Sequence, residues 1–265
     1  MKAANLLQHP TVLMVFVLLL AGCSPPHSLA TQEANTAWDY VALGDSIPAG
    51  YGVNGRSYVT YYAEYIEADL GVTVSVHNWS IPGQTTQQLL RSVQNNQALQ
   101  DAIKEAEVIT IWTGWNDIAQ LIGRGTESTC GDEKDPDMDC VREGVRVLEA
   151  VIEALLVEIL SLRSTDEALI RIADNCNPFV GKWKEAGVYE QFKKPVFEDW
   201  SEAIVNIASN HNVPVVHTYA ALNGEKGDDK IAARYLWQDG IHFSTEGHIL
   251  IADLHRDLGY AHTNP

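Results

Sequence analysis

The stretch Tyr40–Ser46 reads YVALGDS: four apolar residues, a glycine, then at once an acid and a hydroxyl. A short apolar run closed by glycine is the pattern of a buried strand that stops at a sharp turn. Downstream, Ser57–Leu70 has helical spacing through Tyr58, Tyr61, Tyr62, Tyr65 and Ile66, and ends at Gly71. Val72–Val76 is a second β-branched run, Gln87–Ala106 a helical stretch, and Val108–Trp112 a third strand. Val141–Leu162 is a long amphipathic helix, Leu169–Ile172 a fourth strand, Val196–Ser209 a helix and Val213–Val216 a fifth strand. Thr245–Leu258 closes the chain as a helix. Strands alternating with helices point to a parallel sheet covered on both faces. The expectation is one α/β domain over residues 38–265 around five parallel strands, with no internal repeat.

Composition agrees with a folded domain. The chain has 265 residues, 46% hydrophobic and 20% charged, which excludes disorder as a description of the whole. Its formal net charge of −17 has the wrong sign for a nucleic-acid or anionic-membrane footprint.

The first 22 residues stand apart: no acid, one base at Lys2, and the apolar run Thr11–Leu20. That run falls short of the roughly 20 residues a membrane span needs, and reads as the core of a signal peptide. It leads into Leu20-Ala21-Gly22-Cys23, which resembles the lipobox of bacterial lipoproteins, where the cysteine thiol is acylated and becomes residue one. Residues 23–37 then form a small, polar, Pro-bearing tether behind the lipidated Cys23. The expected location is the bacterial cell envelope, with membrane attachment through acyl chains rather than charge. Cys23→Ser is therefore expected to release the protein from membranes, read as loss of palmitate label and of the membrane fraction.

Export changes how the other cysteines read. Cys130 and Cys140, ten apart in a polar loop, are natural disulfide partners in an oxidising compartment. So short a loop adds stability on the order of 2–3 kcal/mol. Cys176 has no basic neighbour in IADNCNP to activate it and reads as a structural thiol. Asp135-x-Asp137-x-Asp139 copies the start of a calcium loop, but Cys140 takes the sixth place, where glycine is needed, and Arg146 the twelfth, where glutamate is needed. The loop reads as solvated. His77, His211, His217, His248 and His255 show no ligand spacing, so neither metal nor cofactor is expected.

In parallel sheets the site lies beyond the carboxyl ends of the strands. Those positions hold Gly44-Asp45-Ser46, the stretch Asn78–Gly83, Gly114-Trp115-Asn116-Asp117 and, ahead of the last helix, Asp239-Gly240-Ile241-His242. Acyl transfer needs a nucleophile, a base, a group that orients the base, and donors for an oxyanion. Ser46, His242 and Asp239 fill the first three roles. A carboxylate three residues before a histidine can reach its Nδ1–H within one loop, leaving Nε2 for Ser46. Gly83 has no Cβ, so its N–H can approach a substrate closely. Asn116 offers a side-chain NH₂, and the N–H of Ser46 completes three donors. Singly, each has a plainer competitor: a turn serine, a turn glycine after Pro82, a helix cap at Asn116 or Asp117, a tight turn at Asp239-Gly240. Asp45 reads as holding its turn rather than taking part in chemistry.

Together the four segments resemble the SGNH hydrolase superfamily, the GDSL esterases and lipases. The blocks appear as GDSI in place of GDSL, as Gly83 within NWSIPGQT, as GWND and as DGIH, and the resemblance spans Tyr40 to His242. It implies a flavodoxin-like three-layer α/β/α fold, an acyl-enzyme on Ser46 and no cofactor. Expected partners are a small acyl ester, a lipid or an acylated carbohydrate, and the membrane through the anchor, for a monomer that binds no nucleic acid. Substrate choice stays open among a lipid-anchored esterase of short or medium acyl esters, a polysaccharide deacetylase and an idle binding module. Asn177–Trp200 brings Phe179, Trp183, Tyr189, Phe192, Phe197 and Trp200 together with Lys182, Lys184, Lys193 and Lys194. It is either the wall of an acyl pocket or packing between a helix and the sheet. Trp79, Trp112 and Trp115 are either sugar platforms or core.

Overall fold

The computed structural model describes residues 37–122, 128–132 and 135–261. The segment expected to be a signal peptide, Cys23 and the expected tether up to residue 36 lie outside them.

In chain order the elements are β1 (Ala37–Gly44), α1 (Tyr58–Leu70), β2 (Thr73–Asn78), α2 (Thr86–Asn95), α3 (Gln97–Glu105), β3 (Val108–Trp112) and α4 (Trp115–Leu121). The two-residue strands β4 (Gly131–Asp132) and β5 (Asp135–Pro136) follow, then α5 (Met138–Leu162), β6 (Leu169–Ala173), α6 (Val180–Ala186) and α7 (Tyr189–Phe192). A π-helical turn at Lys193–Glu198, α8 (Asp199–Asn210), β7 (Val215–Val216), α9 (Thr218–Asn223) and α10 (Thr245–Asp257) complete the chain.

The main sheet has the order β2-β1-β3-β6-β7 and every pairing in it is parallel. Alternation along the strands sorts the core into two sides. Val41, Leu43, Ile109, Ile111, Ile170 and Ile172 join the apolar stripes of α2, α3, α5 and α8. Tyr40, Ala42, Val108, Leu169 and Ala173 join those of α1 and α10. Five parallel strands between two helical layers match the architecture that the alternation and the family resemblance imply.

Local chemistry explains where the elements depart from expectation. The single helix expected over Gln87–Ala106 is two, because the Asn96 side chain caps α3 by accepting from the N–H groups of Ala98 and Leu99. The fifth strand shrinks to two residues, because Pro214 has no N–H to give a ladder and offers only its carbonyl, to the Ile172 N–H. The helix expected from Val196 starts regular winding only at Asp199, after the π-helical turn that holds Pro195. One charge sits inside the sheet: Arg171 of β6 is buried, and its guanidinium is satisfied by the Tyr62 hydroxyl and the carbonyls of His255 and Gly259. Cys130 and Cys140 are bridged, with Cα atoms 5.5 Å apart, and Cys176 is free and buried. Among the described residues no helix is long and apolar enough to cross a membrane.

Candidate active site

Strand β1 ends at Gly44, and the chain there runs so close to β3 that a Cβ would strike the Trp112 carbonyl oxygen. Only glycine fits, and the turn beyond it is fixed by bonds of its own. The Asp45 carboxylate accepts from the Ile47 N–H (3.0 Å), and the Ser46 carbonyl accepts from the Tyr51 N–H (3.0 Å). The Pro48 carbonyl accepts from the Ser57 hydroxyl and from the Asn78 amide, each at 2.7 Å. Asp45 thus holds the turn, as the sequence indicated. Burial, the largest influence, with the nearby Asp117 carboxylate acting in the same direction, pushes its acid up to about 7 against the Ile47 hydrogen bond.

From 196 residues further on, the loop ahead of α10 brings His242 onto this turn, with Nε2 at 2.9 Å from the Ser46 Oγ. The other ring nitrogen, Nδ1, is 2.6 Å from Asp239 Oδ2. Asp239 Oδ1 accepts from the N–H groups of Ile241 (2.9 Å) and His242 (3.0 Å), so the acid shapes the loop that carries its own base. Partial burial opposes its ionisation, but the imidazole and these two N–H groups outweigh it and hold the carboxyl below its usual value. Asp239-Gly240 is also a turn, with the Gly240 N–H donating to the Trp237 carbonyl (2.9 Å).

Asn116 lies in the first turn of α4. The preceding Gly114 adopts φ 113°, and a side chain there would enter the Trp200 indole, so the helix start is wedged in place. One N–H of the Asn116 amide is spent on the Gln84 carbonyl (2.9 Å), while Asp45 Oδ2 stands 3.5 Å from the same nitrogen. The bond to Asp45 is the longer of the two, and it is the one an oxyanion would replace. Gly83 immediately precedes Gln84, on a loop tied to β1 by the Ile81 N–H and the Gly44 carbonyl (3.0 Å). Gly83 has a positive φ of 82°, which itself favours glycine, and no protein atom lies within 4 Å of where a Cβ would stand. Asn116→Ala is expected to lower kcat by roughly 10²–10³, the usual loss for one oxyanion donor. An unimpaired variant in steady-state kinetics would remove Asn116 from that role.

Between Ser46 and His242 lies a cavity of about 30 Å³, walled by Trp112, Trp115, Asn175, Cys176, Pro178, Ile241 and Phe243. Asn175 went unnoticed in the sequence although it follows β6 just as the other site residues follow their strands. Its amide donates to the Thr113 carbonyl (2.9 Å). Cys176 lines the same cavity, and burial pushes its thiol up, so it serves as wall and not as nucleophile. Asp117 is structural: it accepts from the Thr86 N–H (2.8 Å) and hydroxyl (2.9 Å), joining α4 to the start of α2.

The aromatic insertion is packing. Phe179, Trp183, Tyr189, Phe192, Phe197 and Trp200 are buried, and only neighbouring residues such as Pro178 reach the cavity. Its lysines are engaged there: Lys193 with Asp228 (2.8 Å) and Glu198 (3.2 Å), Lys194 with Asp199 (2.8 Å), Lys184 with the Asp228 carbonyl (2.8 Å), and Lys182 over the Phe179 ring. Trp112 is buried, Trp115 stacks against Phe179 and Phe197 while lining the cavity, and Trp79 packs half-buried on the core. His248 accepts from the Tyr58 N–H and His255 lies against the Tyr58 and Tyr62 rings, both inside the α1–α10 layer. Among the described residues no three His, Cys, Asp or Glu side chains gather into a metal site.

The family model for GDSL-like lipase/acylhydrolase matches residues 40–254. The chain belongs to this family. No curated protein matches it significantly. Among solved structures, this GDSL-like chain resembles a lipase from a goat rumen metagenome at 24% identity and TM-score 0.67, over 84% of this chain and 98% of that one. It resembles the lipase/acylhydrolase of Enterococcus faecalis at 22% identity and TM-score 0.56, over 86% and 100%. A variant of an acetyl xylan esterase from Geobacillus stearothermophilus matches at 18% and TM-score 0.58, over 86% and 97%. Membership of this family makes the chain a carboxylic ester hydrolase.

Proposed function

We propose that this hydrolase cleaves esters of short acyl groups, acetyl foremost, through an acyl-enzyme on Ser46. The observation that carries the reading is the unbroken relay from the Ser46 Oγ to His242 at 2.9 Å and on to Asp239 at 2.6 Å. The Ser46 oxygen attacks the ester carbonyl carbon as its proton passes to His242 Nε2, and Asp239 stabilises the imidazolium. The N–H groups of Ser46 and Gly83 and the Asn116 side-chain NH₂ receive the negative oxygen. His242 returns the proton to the departing alcohol oxygen. Water then repeats the sequence on the acyl-enzyme, releasing the acid and restoring Ser46.

The cavity beside Ser46 limits the acyl part. At about 30 Å³ the space beside Ser46 is small, which supports an acetyl or other short acyl group over a fatty chain. Deacetylation of a carbohydrate is the second reading, favoured by this cavity and by the acetyl xylan esterase among the structural neighbours. The signal-like segment ending in Cys23 supports export and lipid anchoring at the cell envelope.

The test is hydrolysis of p-nitrophenyl acetate, butyrate, octanoate and palmitate by the full-length protein. kcat/KM is expected to be highest on acetate and to fall at least about tenfold by octanoate, the scale on which a small pocket discriminates by added methylenes. Preference for octanoate or palmitate would overturn the short-acyl reading.

A further inference from the structure

Few large apolar side chains stand open to solvent among the described residues, and two of them lie on the loops that frame Ser46: Tyr51, 48% exposed, and Ile81, 55% exposed. Tyr51 is built into the nucleophile turn by its N–H bond to the Ser46 carbonyl. Its ring lies on His242, with centroids 4.5 Å and planes 42° apart, and it meets Trp237 edge to face at 5.8 Å. Trp237 closes the loop of the acid and base, donating its N–H to the His242 carbonyl (2.8 Å). Gly52 makes room for this ring pair, since a Cβ there would come within 2.8 Å of the Trp237 indole. The Tyr51 ring is thus held by the nucleophile turn and by the histidine loop, and half its surface still faces water.

Its place tells which part of a substrate meets it. When the tetrahedral intermediate collapses, the bond from carbonyl carbon to alcohol oxygen breaks, and that oxygen takes the proton on His242 Nε2. The alcohol therefore leaves past the imidazole, and the ring against the imidazole is Tyr51. The small acyl cavity, to whose wall Tyr51 does not contribute, takes the other side of the ester.

We propose that Tyr51, braced by Trp237, is the alcohol-side platform of the site, and that it stacks on the C–H face of an O-acetylated sugar ring. Three observations favour a sugar over a lipid alcohol. The acyl cavity is small and suits acetyl; a fixed, half-open aromatic ring offers a flat apolar face of the size of one sugar; and a net charge of −17 works against anionic lipid surfaces. The proposal rests on Ser46 being the nucleophile.

The test compares kcat/KM of the full-length protein on acetylated methyl β-xyloside, ethyl acetate and ethyl octanoate, for wild type, Tyr51→Ala, Tyr51→Leu, Tyr51→Phe and Ser46→Ala. Tyr51→Ala is expected to lower the ratio of acetyl-xyloside to ethyl acetate by about tenfold, the scale of one aromatic anchor. Tyr51→Leu, which keeps bulk without the ring, is expected to lose most of the same ratio, and Tyr51→Phe to keep it. Equal losses on both acetates would mean that the ring only braces His242, and would overturn the proposal. A selective loss on ethyl octanoate would place an acyl chain on the ring and overturn it as well. Hydrolysis of all three esters that survives in Ser46→Ala would overturn the nucleophile assignment itself, and the platform with it, a result distinct from either of those.

Discussion

Ser46→Ala is expected to abolish ester hydrolysis, with kcat falling by about 10⁴–10⁶, the range seen when an acyl-transfer nucleophile is removed. The fold is expected to stay intact, because the Ser46 side chain is half-buried and its hydrogen bond is to His242, while the turn is held by backbone bonds and by Asp45. Circular dichroism and the thermal midpoint of the variant should match wild type, which separates loss of chemistry from loss of structure. A fluorophosphonate probe should label wild type once and the variant not at all. Retention of even about one part in a hundred of the rate would remove Ser46 from its role, since binding and oxyanion stabilisation alone leave far less.

Asp239→Asn is expected to lower kcat by about 10⁴. The asparagine carbonyl can still accept from the Ile241 and His242 N–H groups, so the loop keeps its shape. Its NH₂, however, would face Nδ1 at the place where the carboxylate now stands 2.6 Å away. The imidazole would then carry its proton on Nε2, pointed at the Ser46 oxygen it should deprotonate. Loss of rate with unchanged KM and unchanged thermal midpoint is the expected signature. An active Asp239→Asn enzyme would mean that another group orients His242.

Much of this was legible in the sequence because it rests on local rules. Gly44 followed by Asp45-Ser46 announced a strand ending at a turn, and strands alternating with helices announced a parallel sheet. The spacing of Asp239 and His242 fits one loop, so their pairing could be read without knowing the fold. What stayed illegible depends on neighbours far along the chain. Arg171 interrupts the apolar run of β6, and only the packing of α1 and α10 supplies the Tyr62 hydroxyl and the carbonyls that satisfy it. Nothing beside Tyr51 in sequence marks it as exposed, because its partners His242 and Trp237 come from the other end of the chain. The aromatic insertion read equally well as pocket or packing, since composition does not say which way a ring points. The positive φ of Gly83 was not legible, because periodicity carries no information on φ.

The 196-residue separation between Ser46 and His242 sets when in the life of the chain this chemistry begins. Local segments form early and distant ones meet late, because closing a long loop costs entropy that only the finished contacts return. The proposed nucleophile sits beyond the first strand, while its proposed base precedes the last helix, so a nascent chain lacking its C-terminal segment holds Ser46 without His242 and is expected to be inert toward esters. Recovery of hydrolysis during refolding therefore times the arrival of the final helix, and will trail any signal that reports only the growth of the sheet.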